Sequence, residues 1–311
     1  MAAMVNSTEG EILAALRASG GWVSGEALSE ELGVSRVSVW KHIRSLIRHG
    51  YVIEPSSRGY HLVSAPDLLL PWEIPGWEQK VRHYREVDST MEVARGLAKR
   101  GVEEGTIVVA ESQSRGRGRL GREWSSPAGG IYCTVVLRPK VSPAYAPRIS
   151  LMASVAVART IRGLFGLPAE LKWPNDVLIG GKKICGILAE MEAETDELKF
   201  VNLGIGMNVN CSISQQRATS LRDQLGVGVS RKRVLSAILA EIQRQQSMLT
   251  KDDLLGEWKK LSATLGREVR VVSLGEEIAG KAVDVDTKGA LIVACRDGSL
   301  KSVLAGDCLH V

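Results

Sequence analysis

Cysteine is sparse in this 311-residue chain: Cys133, Cys185, Cys211, Cys295 and Cys308 lie far apart, with no C-x-x-C pair. That argues against a disulfide framework or a zinc knuckle and fits a reducing, cytoplasmic setting. Long apolar runs are missing too. The longest, around Leu151 to Ile161, carries Arg159 and is too short to span a bilayer. The N-terminus shows neither the basic start nor the apolar stretch of a secretory signal, so no membrane partner is expected. Nor does any nucleophile stand beside a recognisable base. Charge excess is small: a net +5 does not by itself demand a nucleic acid.

What is present is ordinary in bulk and uneven in detail. Hydrophobic residues make up 44% and charged ones 24%, as in a soluble globular protein, and the length allows about two domains, or three small ones. Acidic residues dominate the first part (Glu9, Glu11, Glu26, Glu30, Glu31), and basic ones follow (Arg36, Lys41, Arg44, Arg48, Arg58).

Periodicity reads the first sixty residues as helix, helix, glycine turn, helix, hairpin. Thr8-x-x-Glu11 forms a capping box before Ile12, Leu13 and Leu16. A second helix follows Ser24, Gly33 makes a turn, and Ser35 caps a third helix through Arg48 with Val39, Ile43, Leu46 and Ile47 on its core face. Gly50 ends it, and Tyr51 to Ile53 pairs with Tyr60 to Leu62. This is a winged helix-turn-helix. Ser35, Arg36, Ser38, Lys41, Arg44 and the wing's Arg58 are the candidate DNA-binding residues, the alternative being a merely solvated charged face. Trp40 either fills the core or meets the DNA.

The most unusual stretch is Ser112 to Trp124, SQSRGRGRLGREW. Its glycines let the backbone fold over a ligand, and its arginines present planar forks suited to carboxylates and phosphates. Alone it reads equally as an anion-binding lid, a solvated loop or a nucleic-acid clamp. Lys172-Trp173-Pro174-Asn175-Asp176 follows, and then Lys182-Lys183-Ile184-Cys185-Gly186-Ile187-Leu188. Asn175-Asp176 is either a simple turn or a pair of oxygen ligands for Mg²⁺. Ser89-x-x-Glu92 is a second capping box, at a helix start whose free N–H groups can also receive a polar ligand atom. The strand Val201 to Asn210 carries alternate glycines that admit a ligand to its face. It lacks the third glycine and following helix of a dinucleotide fold.

Taken together, Gln113 with GRGRLGR, then KWPNDV, then KKICGIL resembles the biotin–protein ligase family in order and spacing. The likeness runs from the first helix to the last strand, which points to the bifunctional kind, ligase and biotin repressor in one chain. The resemblance implies an α+β, multidomain protein. Its parts are a winged helix-turn-helix (1–65), a central mixed-sheet ligase domain of the biotin/lipoate type (66–264) and an SH3-like C-terminal β-barrel (265–311). It implies biotin, ATP and Mg²⁺ as ligands. Biotin and biotinyl-AMP are expected against Ser89, Thr90, Met91, Gln113, Arg117, Gly118, Arg119, Lys183, Gly186 and Gly204. The nucleotide is expected against Lys172, Trp173, Asn175, Asn208, Ala218 and Ser220, and the metal at Asn175 and Asp176. Lys183 and Arg119 carry the catalytic charge. Met91 stands where the family commonly has asparagine. The implied partners are a biotin carboxyl carrier domain, operator DNA of biotin-synthesis genes, and a second copy of the chain when biotinyl-AMP is bound. Two alternatives stay open: a biotin-sensing regulator without ligase activity, and a ligase whose N-terminal domain no longer binds DNA. A lipoate-type acyltransferase is a more distant relative.

Overall fold

The computed structural model describes residues 8–194, 197–273 and 275–311. Leu274, within the expected C-terminal β-barrel, lies outside them. The chain divides into two compact units, Met1–Arg82 and His83–Val311.

The first unit holds α1 (Thr8–Ser19), β1 (Trp22–Val23), α2 (Gly25–Leu32), α3 (Arg36–Arg48), β2 (Val52–Ser56) and β3 (Gly59–Ser64). Ser24 and Ser35 cap α2 and α3 by accepting the Ala27 and Ser38 amides at 3.0 and 3.2 Å, satisfying donors that a helix start leaves free. Thr8 already lies inside α1, and the residue before it is outside the described ones. The wing is wider than the sequence reading: β1 adds to the β2–β3 hairpin in the order β1-β3-β2. Gly59 is required there, because a Cβ would strike the Val23 carbonyl. Ile12, Leu13, Leu16, Leu28, Val39, Ile43 and Leu46 form the core. Ile47 does not join them and is 44% exposed. Eight residues past Val39 it has turned about 80° away around the helix. Leu70 and Trp72 pack on this core, where the Tyr51 hydroxyl donates to Glu73 Oε1 at 2.5 Å.

The second unit begins within β4 (Val81–Val87), and α4 (Thr90–Lys99), β5 (Ile107–Gln113), β6 (Ile131–Leu137) and α5 (Ala146–Phe165) come next. They are followed by β7 (Ala169–Lys172), β8 (Asp176–Ile179), β9 (Lys182–Glu194), β10 (Glu197–Met207), α6 (Leu221–Leu225), α7 (Arg231–Gln246) and α8 (Asp252–Leu261). One seven-stranded sheet runs β4-β5-β6-β10-β9-β8-β7. Helix α4 covers β5, β6 and β10, burying Ala94 and Ala98 against Val108, Val136 and Phe200. Small apolar residues let α5 lie close on β7 to β9, with α7 and α8 beside it. The buried Arg231 guanidinium donates to Glu111 at 2.8 Å and to the Gly130 carbonyl at 2.9 Å, pinning α7 to the turn before β6.

The last strands are β11 (Glu268–Ser273), β12 (Glu276–Val285), β13 (Leu291–Cys295), β14 (Leu300–Val303) and β15 (Asp307–His310). They make an antiparallel sheet ordered β14-β13-β12-β11-β15. Trp173, 1% exposed, ties this sheet to the larger one. Its indole N–H donates to the Gly289 carbonyl at 3.1 Å and its amide to Thr264 Oγ1 at 3.0 Å.

Candidate active site

Two adjoining cavities, of about 370 and 550 Å³, open over the ends of β9 and β10. The first is built at the start of α4. Ser89 holds the cap position yet makes no capping bond, contrary to the capping box read from the sequence; Glu92 pairs instead with Arg95 and Arg117. Its hydroxyl is buried and without a protein partner. A buried polar group in that state costs stability unless something else satisfies it, and the Ser89 hydroxyl is open to a ligand atom in the cavity. Next to it the Thr90 amide and hydroxyl both donate to Gln113 Oε1, at 2.8 and 3.1 Å. Gln113 Nε2 donates to Ser126 Oγ at 2.8 Å, and Thr134 Oγ1 donates to Thr90 Oγ1 at 2.9 Å. Sequence reasoning missed Ser126 and Thr134: an isolated bridge to Gln113 brings in the first, and pairing of β6 with β5 the second.

Glycines make the floor. Gly186 of β9 pairs with Gly206 of β10, and the Trp124 indole lies over both. A Cβ on Gly206 would fall 2.5 Å from Trp124 Nε1, and one on Gly186 3.0 Å from Cζ3. At Gly204 a Cβ would meet the Met91 sulfur at 2.6 Å, so the buried Met91 thioether fills the space that glycine leaves.

The arginine loop closes over this floor. Its turn is held by the Gly118 amide on the Arg122 carbonyl at 2.7 Å and the Trp124 amide on the Gly116 carbonyl at 2.9 Å. Leu120, 71% exposed, takes a left-handed backbone (φ 55°), a strain of about 1–2 kcal/mol. Arg119 donates to Asn175 Oδ1 at 3.2 Å, and burial pulls its guanidinium below its ordinary pKa. Arg122 pairs with Asp307 of β15, so the C-terminal sheet supplies part of the wall. Asp307, Cys308 and Leu309 line the first cavity, contributions that no local motif announces.

Lys183 stands at the wall between the cavities. Its Nζ is 2.7 Å from Asp176 Oδ1 and 5.1 Å from the Trp124 ring centroid. Lys172, Asp176, Lys183 and Trp124 face both spaces. The second cavity adds Asn208, Ala218, Arg217, Arg267 and His310. Burial, with Lys172 and Arg267 close by, pushes the His310 pKa down to about 4, so the ring is neutral at pH 7. Burial pushes the Cys133 thiol up to about 12, which keeps it protonated.

Of the residues expected from the sequence, Ser89, Thr90, Met91, Gln113, Arg117, Gly118, Arg119, Gly186 and Gly204 meet at the first cavity. So do Lys172, Trp173, Asn175, Asp176 and Lys183. Asn208 and Ala218 meet at the second. Ser220 reaches neither: it is fully buried, and its hydroxyl accepts the Asp223 amide at 3.1 Å to cap α6. Among the described residues no cluster of three or more His, Cys, Asp or Glu side chains is placed to hold a metal ion. No helix among them is long and apolar enough to cross a membrane. In the first unit Arg36, Lys41, Arg44 and Arg58 are exposed, with the Arg58 guanidinium 4.8 Å from the Trp22 ring centroid. Ser35 caps α3 and Ser38 is half-buried.

The class matches that geometry: the model of the biotin/lipoate A/B protein ligase family covers residues 84–208. The biotin protein ligase C-terminal domain covers 264–311, and an HTH domain covers 9–61. The chain is 37% identical over 305 residues to the bifunctional ligase/repressor BirA of Bacillus spizizenii, spanning 92% of this chain and 93% of that one. To the Escherichia coli bifunctional ligase/repressor BirA it is 31% identical over 308 residues, spanning 95% of each. A solved structure, the biotin protein ligase from Aquifex aeolicus in complex with biotin and ATP, matches with a TM-score of 0.65 and 31% identity. It covers 74% of this chain and 98% of that one. This chain belongs to the bifunctional ligase/repressor family.

Proposed function

We propose that the chain is an ATP-dependent biotin–protein ligase that also represses biotin-synthesis genes, its three parts dividing near residues 65 and 264. The observation that carries the reading is the shared wall, where Lys183, with Lys172, faces two cavities of a size for two ligands. Biotin takes the first cavity, with its ring polar atoms toward Ser89 and the Thr90–Gln113 network. ATP takes the second, along Lys172, Asn208 and Ala218. A biotin carboxylate oxygen attacks the α-phosphorus, pyrophosphate leaves, and biotinyl-5′-AMP remains. Both reactants are anions, so Lys183 and the loop arginines offset their repulsion and the charge that grows at phosphorus. A lysine ε-amine of a biotin carboxyl carrier domain then attacks the acyl carbon and expels AMP.

Mg²⁺ fits the residues at the wall. Asp176 offers a carboxylate, and Asn175 Oδ1 keeps a lone pair beside its bond from Arg119. This ion needs few protein ligands when phosphate oxygens and water complete its shell. When bound it neutralises phosphate charge.

The adenylate is a reactive mixed anhydride, so the loop has to exclude water and stray amines until the carrier arrives. Arg119→Gly removes the loop's bond to Asn175 and leaves Lys183 in place. The variant is expected to release adenylate and to label bystander lysines on added albumin several-fold more than the parent. Equal bystander labelling would move the lid role to another residue. Gly204→Ala is expected to push the Met91 sulfur into the biotin cavity. Overpacking of this kind costs about 1–3 kcal/mol, which corresponds to roughly 5- to 150-fold in KM for biotin with kcat little changed. Titration of biotin against initial rates checks it, and an unchanged KM would mean Met91 lies clear of the ligand.

The repressor half follows from the exposed cations of α3 and the wing. A dimer loaded with biotinyl-AMP reads two half-sites where a single winged helix makes few phosphate contacts. Adenylate accumulates only when unbiotinylated carrier is scarce, so loading reports demand. Carrier domain and operator DNA both place the protein in the cytoplasm. Incubation with labelled biotin and ATP, with and without carrier domain, tests the ligase reading; failure to form adenylate would leave a biotin sensor. Sedimentation with both ligands tests the dimer.

A further inference from the structure

The DNA-facing surface carries more apolar side chain than phosphate binding needs. On α3, Val37 is 63% exposed and Trp40 47% exposed. With Lys41 and Arg44 they fall at i, i+3, i+4 and i+7, a single stripe along the helix. Trp40 is absent from the core cluster, which Val39, Ile43 and Leu46 fill from the opposite face. The indole is held in place from outside: the Arg44 guanidinium lies 4.9 Å from its ring centroid, an attraction that orients the ring without burying it. Arg36, Val37 and Trp40 also line a groove of about 520 Å³, with the start of α2 at Glu26 and the wing at Pro55, Ser56, Ser57 and Gly59.

The occupant must be polyanionic and must also offer apolar groups to the first turns of α3. Arg36, Lys41, Arg44 and Arg58 supply the first requirement. A duplex meets the second in one way: on the floor of the major groove the exposed apolar group is the C5 methyl of thymine. The N-terminal half of a recognition helix is the part that approaches base edges. We propose that Val37 and Trp40 are specificity-determining residues that read thymine methyl groups, while the surrounding cations hold the phosphates. The proposal rests on the repressor reading and adds to it which bases are selected and by which side chains.

The full-length protein with biotin and ATP is first used to select a duplex from a random-sequence pool, and each thymine in one half-site is then replaced singly by uracil. Removing a methyl group in contact should weaken wild-type binding about 4-fold at one or two positions, the value of one buried methylene. Trp40→Ala should bind the thymine duplex more weakly and be indifferent to uracil at the same position. Its dependence of log K on log salt should be unchanged, because an apolar contact releases no counterion. Trp40→Phe should retain sensitivity to uracil, and Lys41→Ala should retain it while lowering the salt slope by about 1. Thermal melts of each variant should match the parent. Uracil without effect at every position overturns the inference and leaves the repressor reading standing. Trp40→Ala that is as sensitive to uracil as the parent, or that alters self-association with DNA affinity unchanged, also overturns it. Failure of the parent to select any duplex would remove both.

Discussion

Replacing Lys183 with alanine is expected to slow pyrophosphate release by about 100- to 1000-fold, the usual cost of deleting one preorganised donor aimed at developing charge. The amine stands where the two cavities meet, 2.7 Å from Asp176 and over the Trp124 ring. No other described lysine or arginine but Lys172 lines both spaces. Biotin affinity should be largely retained, because Thr90, Gln113, Ser126 and Thr134 bond to one another without Lys183. A coupled pyrophosphate assay gives the rate and equilibrium dialysis the affinity. Adenylation at the parent rate would strip Lys183 of its catalytic role, whereas a matched loss of binding would make it a docking group.

Trp173→Ala is expected to be the most damaging single change to stability, at about 3–5 kcal/mol. The ring is 1% exposed and spans the join between the seven-stranded sheet and the C-terminal strands. Truncation leaves a cavity there and also an unmet carbonyl at Gly289. For a unit of this size the loss corresponds to a fall in Tm of roughly 6–20 °C. Trp173→Phe, which refills most of the volume but donates nothing to Gly289, should fall between the two. Calorimetry of the three proteins decides it, and coincident melts would show that Trp173 does not hold the join.

Local chemistry was the legible part of this chain. Serines before apolar helical runs marked α2 and α3, glycine turns marked the wing, and the arginine loop with KWPND and KKICGIL marked residues that line the two cavities. What was not legible depends on partners distant in sequence. The two-residue β1 has no periodicity to detect and exists because β3 offers it an edge. The strand β15 has only four residues, and its Asp307 meets Arg122 across most of the second unit. Ser89 shows the limit from the other side. The pattern S-x-x-E predicts a capping bond, but Arg95 and Arg117 take up Glu92 and the serine hydroxyl is left unbonded. Ser220 is the reverse case, a motif neighbour whose hydroxyl is consumed by its own helix.

Among the described residues, all that line the two cavities fall between Ser89 and His310, while the recognition helix, the wing and their core lie before residue 75. In terms of inheritance, the two activities are separate cassettes. A lineage that no longer regulates biotin synthesis can lose the first 82 residues in one event without altering a residue that touches either ligand. A lineage that keeps them can retune which DNA is read, by changes on one face of α3, with no effect on the chemistry of ligation.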